Sequence, residues 1–238
     1  NKCRTYFDCV LAHTGQNYDY NLNGIFFRDL KLADPEVYMD AVGDDLGATV
    51  GNIINCSYKL MNQIKPDALL MGEVWEDATN KISYGARRRF LRGKQLDSVM
   101  NYPFADGIID FLLGENARVL MDLVLEICEN YPADCLHLLM NHVGTHDTPR
   151  ILTLLGKGQT DLGTREAQAD LSLSPQQLAH AKTFLRLAAA LQYTLPGLPS
   201  LYYGDEVGMQ GGGDPFCRGC YPWGQEDTAL LEFYKTLG

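Results

Sequence analysis

Glu73 stands at the end of a short apolar run, Ala68-Leu-Leu-Met71, broken before it by Lys65-Pro66-Asp67 and followed by Gly72, with Trp75 two residues beyond. A continuous apolar run of that length fits a parallel strand covered on both faces. A carboxyl delivered at its C-terminal end beside an indole loses hydration, which favours the neutral, proton-donating form that general acid catalysis requires. The same carboxylate could instead cap the next helix or pair with an arginine, and the stretch alone does not separate these. A second stretch, His142-Val-Gly-Thr-His-Asp-Thr-Pro-Arg150, follows another apolar run (Leu136, Leu138, Leu139, Met140). It sets His146 beside Asp147 just ahead of a proline suited to a helix start. Two strand ends carrying such groups point to one shared site, as at the C-terminal face of a strand-and-helix barrel.

Gly72-Glu-Val-Trp75 and Thr145-His-Asp-Thr148 resemble the acid-bearing and His-Asp motifs of glycoside hydrolase family 13, the α-amylase family. Leu96-Asp-Ser-Val-Met-Asn-Tyr-Pro-Phe104 and Gly197-Leu-Pro-Ser-Leu-Tyr-Tyr-Gly-Asp-Glu206 extend the resemblance in the right order, and the neopullulanase and cyclomaltodextrinase group is the most similar. The resemblance implies a TIM-type (β/α)8 barrel and a retaining mechanism on α-glucosidic bonds, with Glu73 as acid and later base. Asp147 would be the second catalytic carboxylate, holding sugar hydroxyls in the distorted state. His13, His146, Trp75, Tyr102 and Arg150 would bind substrate, and Asp8 would be structural beneath the site. No cofactor is implied. Some family members hold calcium through an asparagine in Asp-x-Val-x-Asn-His, but Phe7-Asp-Cys-Val-Leu-Ala-His13 has Ala12 at that place.

The elements that must position these groups are uneven along the chain. Residues 16–28 are rich in Asn, Tyr and Gly and read as a loop, and Asp29 to Val37 resembles the lead into a fourth barrel strand. The family then wants Gly-x-Arg-x-Asp, whose aspartate is the nucleophile; this chain offers Gly51-Asn-Ile-Ile-Asn55, so the most generous alignment puts Asn55 at a degenerate nucleophile position. An amide cannot serve as the attacking and leaving group of a covalent glycosyl intermediate. The plain reading of the same region is a helix, with Tyr58, Met61 and Ile64 near helical spacing. Residues 1–65 are therefore read as a degenerate remnant of the barrel's first half and 66–238 as its second half, so that the barrel is partial.

Beyond Glu73 the pattern is regular. Strands are expected near Leu96–Met100, in the stretch Leu136 to Asp147 that leads to the His-Asp strand end, and near Leu198–Tyr203, and helices near residues 108–112, 118–131, 174–194 and 228–237. Ser174-Pro-Gln-Gln is a strong helix start. The polar stretch 159–172 reads as a surface loop, and Asp214-Pro-Phe-Cys-Arg-Gly-Cys-Tyr-Pro-Trp223 resembles the loop that closes the family's cleft.

Net charge is −10 with pI near 4.9, which disfavours nucleic acid and anionic membrane as partners, since both reward basic patches. A neutral α-glucan is compatible with it, and a homo-oligomer stays open. No apolar run approaches the roughly 18 residues of a membrane span, and the first residues lack a signal-peptide core, so the reading is cytoplasmic. Seven scattered cysteines fit reduced thiols. Two classes of function remain: an α-glucan hydrolase or transglycosidase whose chain here is incomplete, or a non-catalytic glycan-binding or assembly protein that has lost its nucleophile.

Overall fold

The computed structural model describes residues 2–17, 19–93, 95–158 and 162–238. It divides into two compact units, Asn1–Ala68 and Leu69–Gly238.

In the first unit, β1 (Ala12–His13) and β2 (Val37–Tyr38) pair in parallel, Ala12 opposite Val37, with α1 (Gly24–Asp29) between them in sequence. Helix α2 (Leu46–Ile64) follows, its first turn capped by Asp45, whose carboxylate accepts from the Ala48 N–H at 2.8 Å. The side chain satisfies one of the donors that a helix start leaves without an intrahelical partner. Residues 24–29 are helical rather than loop; the surrounding Asn and Gly residues hide a six-residue helix whose Phe27 packs edge-on to His13 at 6.1 Å.

The second unit opens with β3 (Met71–Gly72), then the antiparallel hairpin β4 (Ile82–Ser83) and β5 (Ala86–Arg87), and β6 (Ser98–Val99). Next come α3 (Tyr102–Leu112), α4 (Ala117–Asn130), α5 (Ala133–Leu136) and β7 (Met140–Asn141). The chain finishes with α6 (Ile151–Lys157), α7 (Pro175–Thr194), β8 (Leu198–Pro199) and α8 (Thr228–Leu237). Strand β3 pairs in parallel with β6, Met100 bridges in parallel to Met140, and β7 pairs in parallel with β8. Four parallel strands thus lie side by side in chain order, with the β4–β5 hairpin in the first connection and helices in the second and third, the order expected of successive barrel strands. The last one is shorter than the run to Tyr203 expected from sequence.

Each ladder is only two residues long, so buried side chains supply much of the lateral tie. The Asn101 amide donates to Asn141 Oδ1 at 2.8 Å, and Asn141 Nδ2 donates to the carbonyls of Leu195 (3.3 Å) and Pro196 (3.1 Å). Gln192 Nε2 donates to the backbone carbonyls of Asn141 (3.1 Å) and Ser200 (2.8 Å). All three amides are buried. Gly197 is required where this chain of amides meets the backbone: at φ +128°, an added Cβ would lie 2.6 Å from the Leu139 carbonyl. Two apolar clusters flank the strands. One gathers Ile108, Ile151, Leu152, Leu185, Ala188 and Leu230 among its members; the other includes Val74, Val99, Phe104, Ile127, Tyr131 and Leu139. Helix α7 carries the capping box anticipated at Ser174 and Gln177.

Among the described residues no helix is long and apolar enough to cross a membrane. The six cysteines with described side chains are free thiols; that of Cys3 lies outside the described residues, as do positions 159–161 of the loop expected at 159–172. The rest of that loop contains a 3-10 turn, Ala167–Asp170.

Asn141→Leu removes the hub of the amide chain and leaves the Asn101 amide and the 195–196 carbonyls without it. Orphaned buried groups cost about 1–3 kcal/mol each, so a loss of roughly 3 kcal/mol is expected. Urea unfolding followed by tryptophan fluorescence checks this, since Trp75 and Trp223 both lie in the second unit. A loss below about 1 kcal/mol would mean that the backbone ladders suffice.

Candidate active site

Glu73 directly follows β3, Tyr102 opens α3 after β6, and His142 to Asp147 follow β7, so the expected groups sit past the C-terminal ends of parallel strands. Tyr102 links them. Its ring is buried, stacks on Trp75 at 3.9 Å with planes 19° apart, and meets His142 edge-on at 4.5 Å. Its hydroxyl donates to Glu73 Oε1 at 3.3 Å. Burial pushes the Tyr102 phenol up to about 12; a hydrogen bond from Thr145 pulls the other way, and the Glu73 and Asp147 charges add to the rise. The phenol therefore stays protonated and remains a donor to the carboxylate.

Glu73 itself is exposed. One face of the Trp75 indole is taken by Tyr102, so the withdrawal of this carboxyl from water expected from the Glu-x-Trp sequence is not in place.

His146 and Asp147 are neighbours in space as well as in sequence, with His146 Nε2 3.3 Å from Asp147 Oδ2. Their loop is folded locally: the Asp147 N–H donates to Thr145 Oγ1 at 3.2 Å, and the Thr145 N–H donates to Thr148 Oγ1 at 2.9 Å. Sequence reading missed Arg218. Its Nη2 donates to Asp147 Oδ1 at 3.1 Å, its Nε donates to the His146 carbonyl at 3.0 Å, and it also pairs with Asp214 at 2.7 Å. The signal was the 214–223 loop, singled out for closing the cleft without a role for its arginine. Cys217, in the same loop, is buried and donates its thiol to the His146 carbonyl at 3.0 Å; burial pushes that thiol's pKa up.

Arg150 requires a correction. Expected on substrate, its guanidinium is fully buried, donates to the Cys217 and Tyr203 carbonyls, and pairs with buried Asp205 at 3.1 Å. Tyr202 and Tyr203 lie under it at 4.2 and 4.7 Å. Burial pushes the Asp205 carboxyl up to about 7, against the pull of Arg150. A cation with every direction occupied holds loops together and has nothing left to offer a sugar.

In the first unit, Asn55 lies mid-way along α2 with an exposed side chain. It is not at a strand end, so the nucleophile alignment fails and the plain helical reading is the right one. His13 ends β1, its Nδ1 accepting from the Gly15 N–H at 3.0 Å and its ring against Phe27 and Tyr38. Asp8 is exposed rather than buried beneath anything. Ala12 presents a methyl where the calcium-binding pattern has an amide oxygen, and a methyl cannot ligate a cation, so this donor set does not fit calcium.

His142 was assigned no role from sequence. It is 2% exposed, neither ring nitrogen has a hydrogen-bond partner, and burial alone pulls its pKa down to about 4. It lines a cavity of about 270 Å³ together with Tyr102, Thr148 and Leu154.

Comparison with known families places most of this chain. The family described as alpha amylase, catalytic domain, matches residues 52–230, and a second, UDP-N-acetylglucosamine 2-epimerase, matches residues 1–75. An amylopullulanase of Thermoanaerobacter thermohydrosulfuricus is 38% identical over 189 residues, covering 74% of this chain and 12% of that protein. A cyclomaltodextrinase of a Bacillus species is 32% identical over 183 residues, covering 75% of this chain and 27% of that protein. A solved cyclomaltodextrinase superposes with a TM-score of 0.58 at 27% identity, covering 90% of this chain and 31% of that one. The chain thus spans roughly an eighth to under a third of the length of these relatives.

The isolated imidazole gives a pH test. A folded-state pKa near 4 against about 6.5 unfolded means the unfolded chain binds the extra proton first as pH falls. His142 therefore costs nothing above pH 7 and progressively destabilises the fold between about 6.5 and 4, by roughly 3 kcal/mol in all. His142→Leu should remove that part of the acid-side loss, measured as the difference in urea midpoints between pH 7 and pH 4. Equal losses in both proteins would show that the ring does not titrate with folding.

Proposed function

Because the chain belongs to the α-amylase family, whose solved members are (β/α)8-barrel enzymes, we propose that residues 69–238 form part of a retaining hydrolase of α-glucosidic bonds, corresponding to the second half of its barrel. The observation that carries this reading is the Tyr102 hydroxyl on Glu73, set among parallel strand ends with His146 and Asp147 past the third. Glu73 is the general acid that protonates the leaving oxygen and then the base that activates water. The protonated phenol of Tyr102 holds one carboxylate oxygen and orients the group. Asp147 accepts hydrogen bonds from sugar hydroxyls, with His146 beside it and Arg218 fixing its rotamer. Trp75 offers a half-exposed indole against which an apolar sugar face can lie. Arg150 serves from behind, by holding the loops that present Asp147 and Arg218.

The attacking carboxylate is not assigned to any residue here, since Asn55 lies on α2. The chain should consequently bind maltooligosaccharide but turn it over near the background rate, because acid catalysis and positioning remain without the covalent route. Calorimetry with maltoheptaose and an end-group assay check both halves. Asp147→Asn should weaken binding about tenfold, a loss of about 1.4 kcal/mol, and Glu73→Gln should leave it within about twofold. Undetectable binding by the unaltered chain would sink the proposal, and so would an unchanged affinity in Asp147→Asn. Binding without turnover in a longer chain that carries a carboxylate opposite Glu73 would favour the glycan-binding class instead.

A further inference from the structure

We propose that the arginine-lined pocket between the loop 87–92 and the end of α4 binds a phosphate group, either free or as the monoester of a small molecule. Arg87, Arg88, Arg89 and Arg92 line it together with Thr79 and Asn130, around about 150 Å³ of space. That is room for one tetrahedral oxyanion and the start of whatever carries it. No residue of the candidate active site lines this pocket. The charge there runs against that of the chain, which carries 30 acidic groups to 20 basic ones. Arg4, Arg28, Arg118, Arg150 and Arg218 each pair with a carboxylate. Among the described residues, none of the four pocket arginines has such a partner.

The loop that carries these arginines is anchored. Arg87 donates from Nε to the Thr79 carbonyl and from Nη2 to Asn80 Oδ1, both at 2.9 Å. Those acceptors are neutral, so they fix the guanidinium without cancelling its charge. Arg88 lies over the Tyr84 ring at 5.3 Å, and its N–H donates to the Lys81 carbonyl at 2.8 Å. Between Arg89 and Arg92, Leu91 is buried and Phe90 packs against the same apolar cluster, which pins the loop. Across the pocket, the Ala78 N–H donates to the Tyr131 hydroxyl at 2.9 Å in a buried bond. The neighbouring carboxylates are engaged elsewhere: Glu76 pairs with Lys81, and Asp77 accepts from Thr79, Asn80 and Asn130. Four guanidinium groups on one concavity repel one another, and an anion with several oxygens relieves that repulsion. Guanidinium forks match phosphate oxygens two at a time, whereas a single carboxylate leaves most of these donors unused. A nucleic-acid strand is tracked along an extended groove, which a concavity of this size does not offer.

Calorimetry of the full chain with inorganic phosphate, at a slightly alkaline pH where phosphate is a dianion and at constant ionic strength, tests this without any glucan. The result is therefore independent of the hydrolase reading. Saturable binding is expected with a Kd of about 1 mM or below. Arg89→Gln and Arg92→Gln, both at exposed side chains, should each weaken it by about fivefold or more. Arg118→Gln removes the same charge from the other end of α4 and should leave the affinity unchanged. Glucose 6-phosphate separates the two sources: an affinity about tenfold above that of phosphate assigns a sugar ester, and an equal one assigns the phosphate group alone. No saturable binding of either probe by about 10 mM, or an equal loss in Arg118→Gln, would overturn the pocket. So would an affinity for single-stranded oligonucleotides that rises with their length and does not depend on which arginine is replaced, because that describes a polyanion surface.

Discussion

Three buried amides, Asn101, Asn141 and Gln192, carry the lateral connection between strands whose backbone ladders are only two residues long. Asn101 and Asn141 use both the donor and the acceptor of the amide, and Gln192 reaches two carbonyls through its Nε2 while its buried Oε1 has no partner among the described residues. In a low-dielectric interior each such bond is expensive to leave unmade. Asn101 also caps α3, its Oδ1 accepting from the Phe104 N–H at 3.3 Å. The residue that joins β6 to β7 thereby starts the helix on which Tyr102 sits. The amide bond at Asn101 thus bears on the position of the phenol, and through its hydroxyl on the Glu73 carboxylate.

A second buried polar assembly holds the loops that carry Asp147 and Arg218. Arg150 and Asp205 pair where neither meets water, and the guanidinium spreads its remaining donors over the Cys217 and Tyr203 carbonyls. Removing one partner of such a pair strands the other charge, at a cost of about 3–5 kcal/mol. Its geometric effect is to fix the 214–223 loop against the strand-end loop after β7. Arg218 then reaches Asp147 and the His146 carbonyl. The cation at Asp147 is thus a partly exposed arginine on a loop that buried Arg150 holds.

The two units differ in kind. In 69–238 apolar clusters, capped helices and amide ties reinforce one another, as in a sequence whose local preferences agree with its fold. In 1–68 the longest helix buries none of its residues. Hydrophobic stabilisation scales with apolar area removed from water, so this unit has the weaker hold on its own structure.

Periodicity and motif spacing in the sequence determined where the first three parallel strands end and where the fourth begins, helices α4, α7 and α8, and the place of Glu73, His146 and Asp147 past strand ends. These depend on contacts between residues near in sequence, such as Ser174 with Gln177 or the apolar stripe of α4. Only the tertiary structure decided that Tyr102 spends its hydroxyl on Glu73, that Trp75 stacks on Tyr102 and leaves the carboxylate open, that Arg150 is sealed away and that Arg218 takes the place at Asp147. Each depends on which loops meet across 27 to 71 positions of chain: Trp75 and Tyr102 are 27 apart, and Arg218 and Asp147 are 71 apart. Side-chain type does not encode such a distance. Asn55 marks the same limit from the other side: read against a motif it took a strand-end position, and the backbone hydrogen bonds of a 19-residue helix placed it elsewhere.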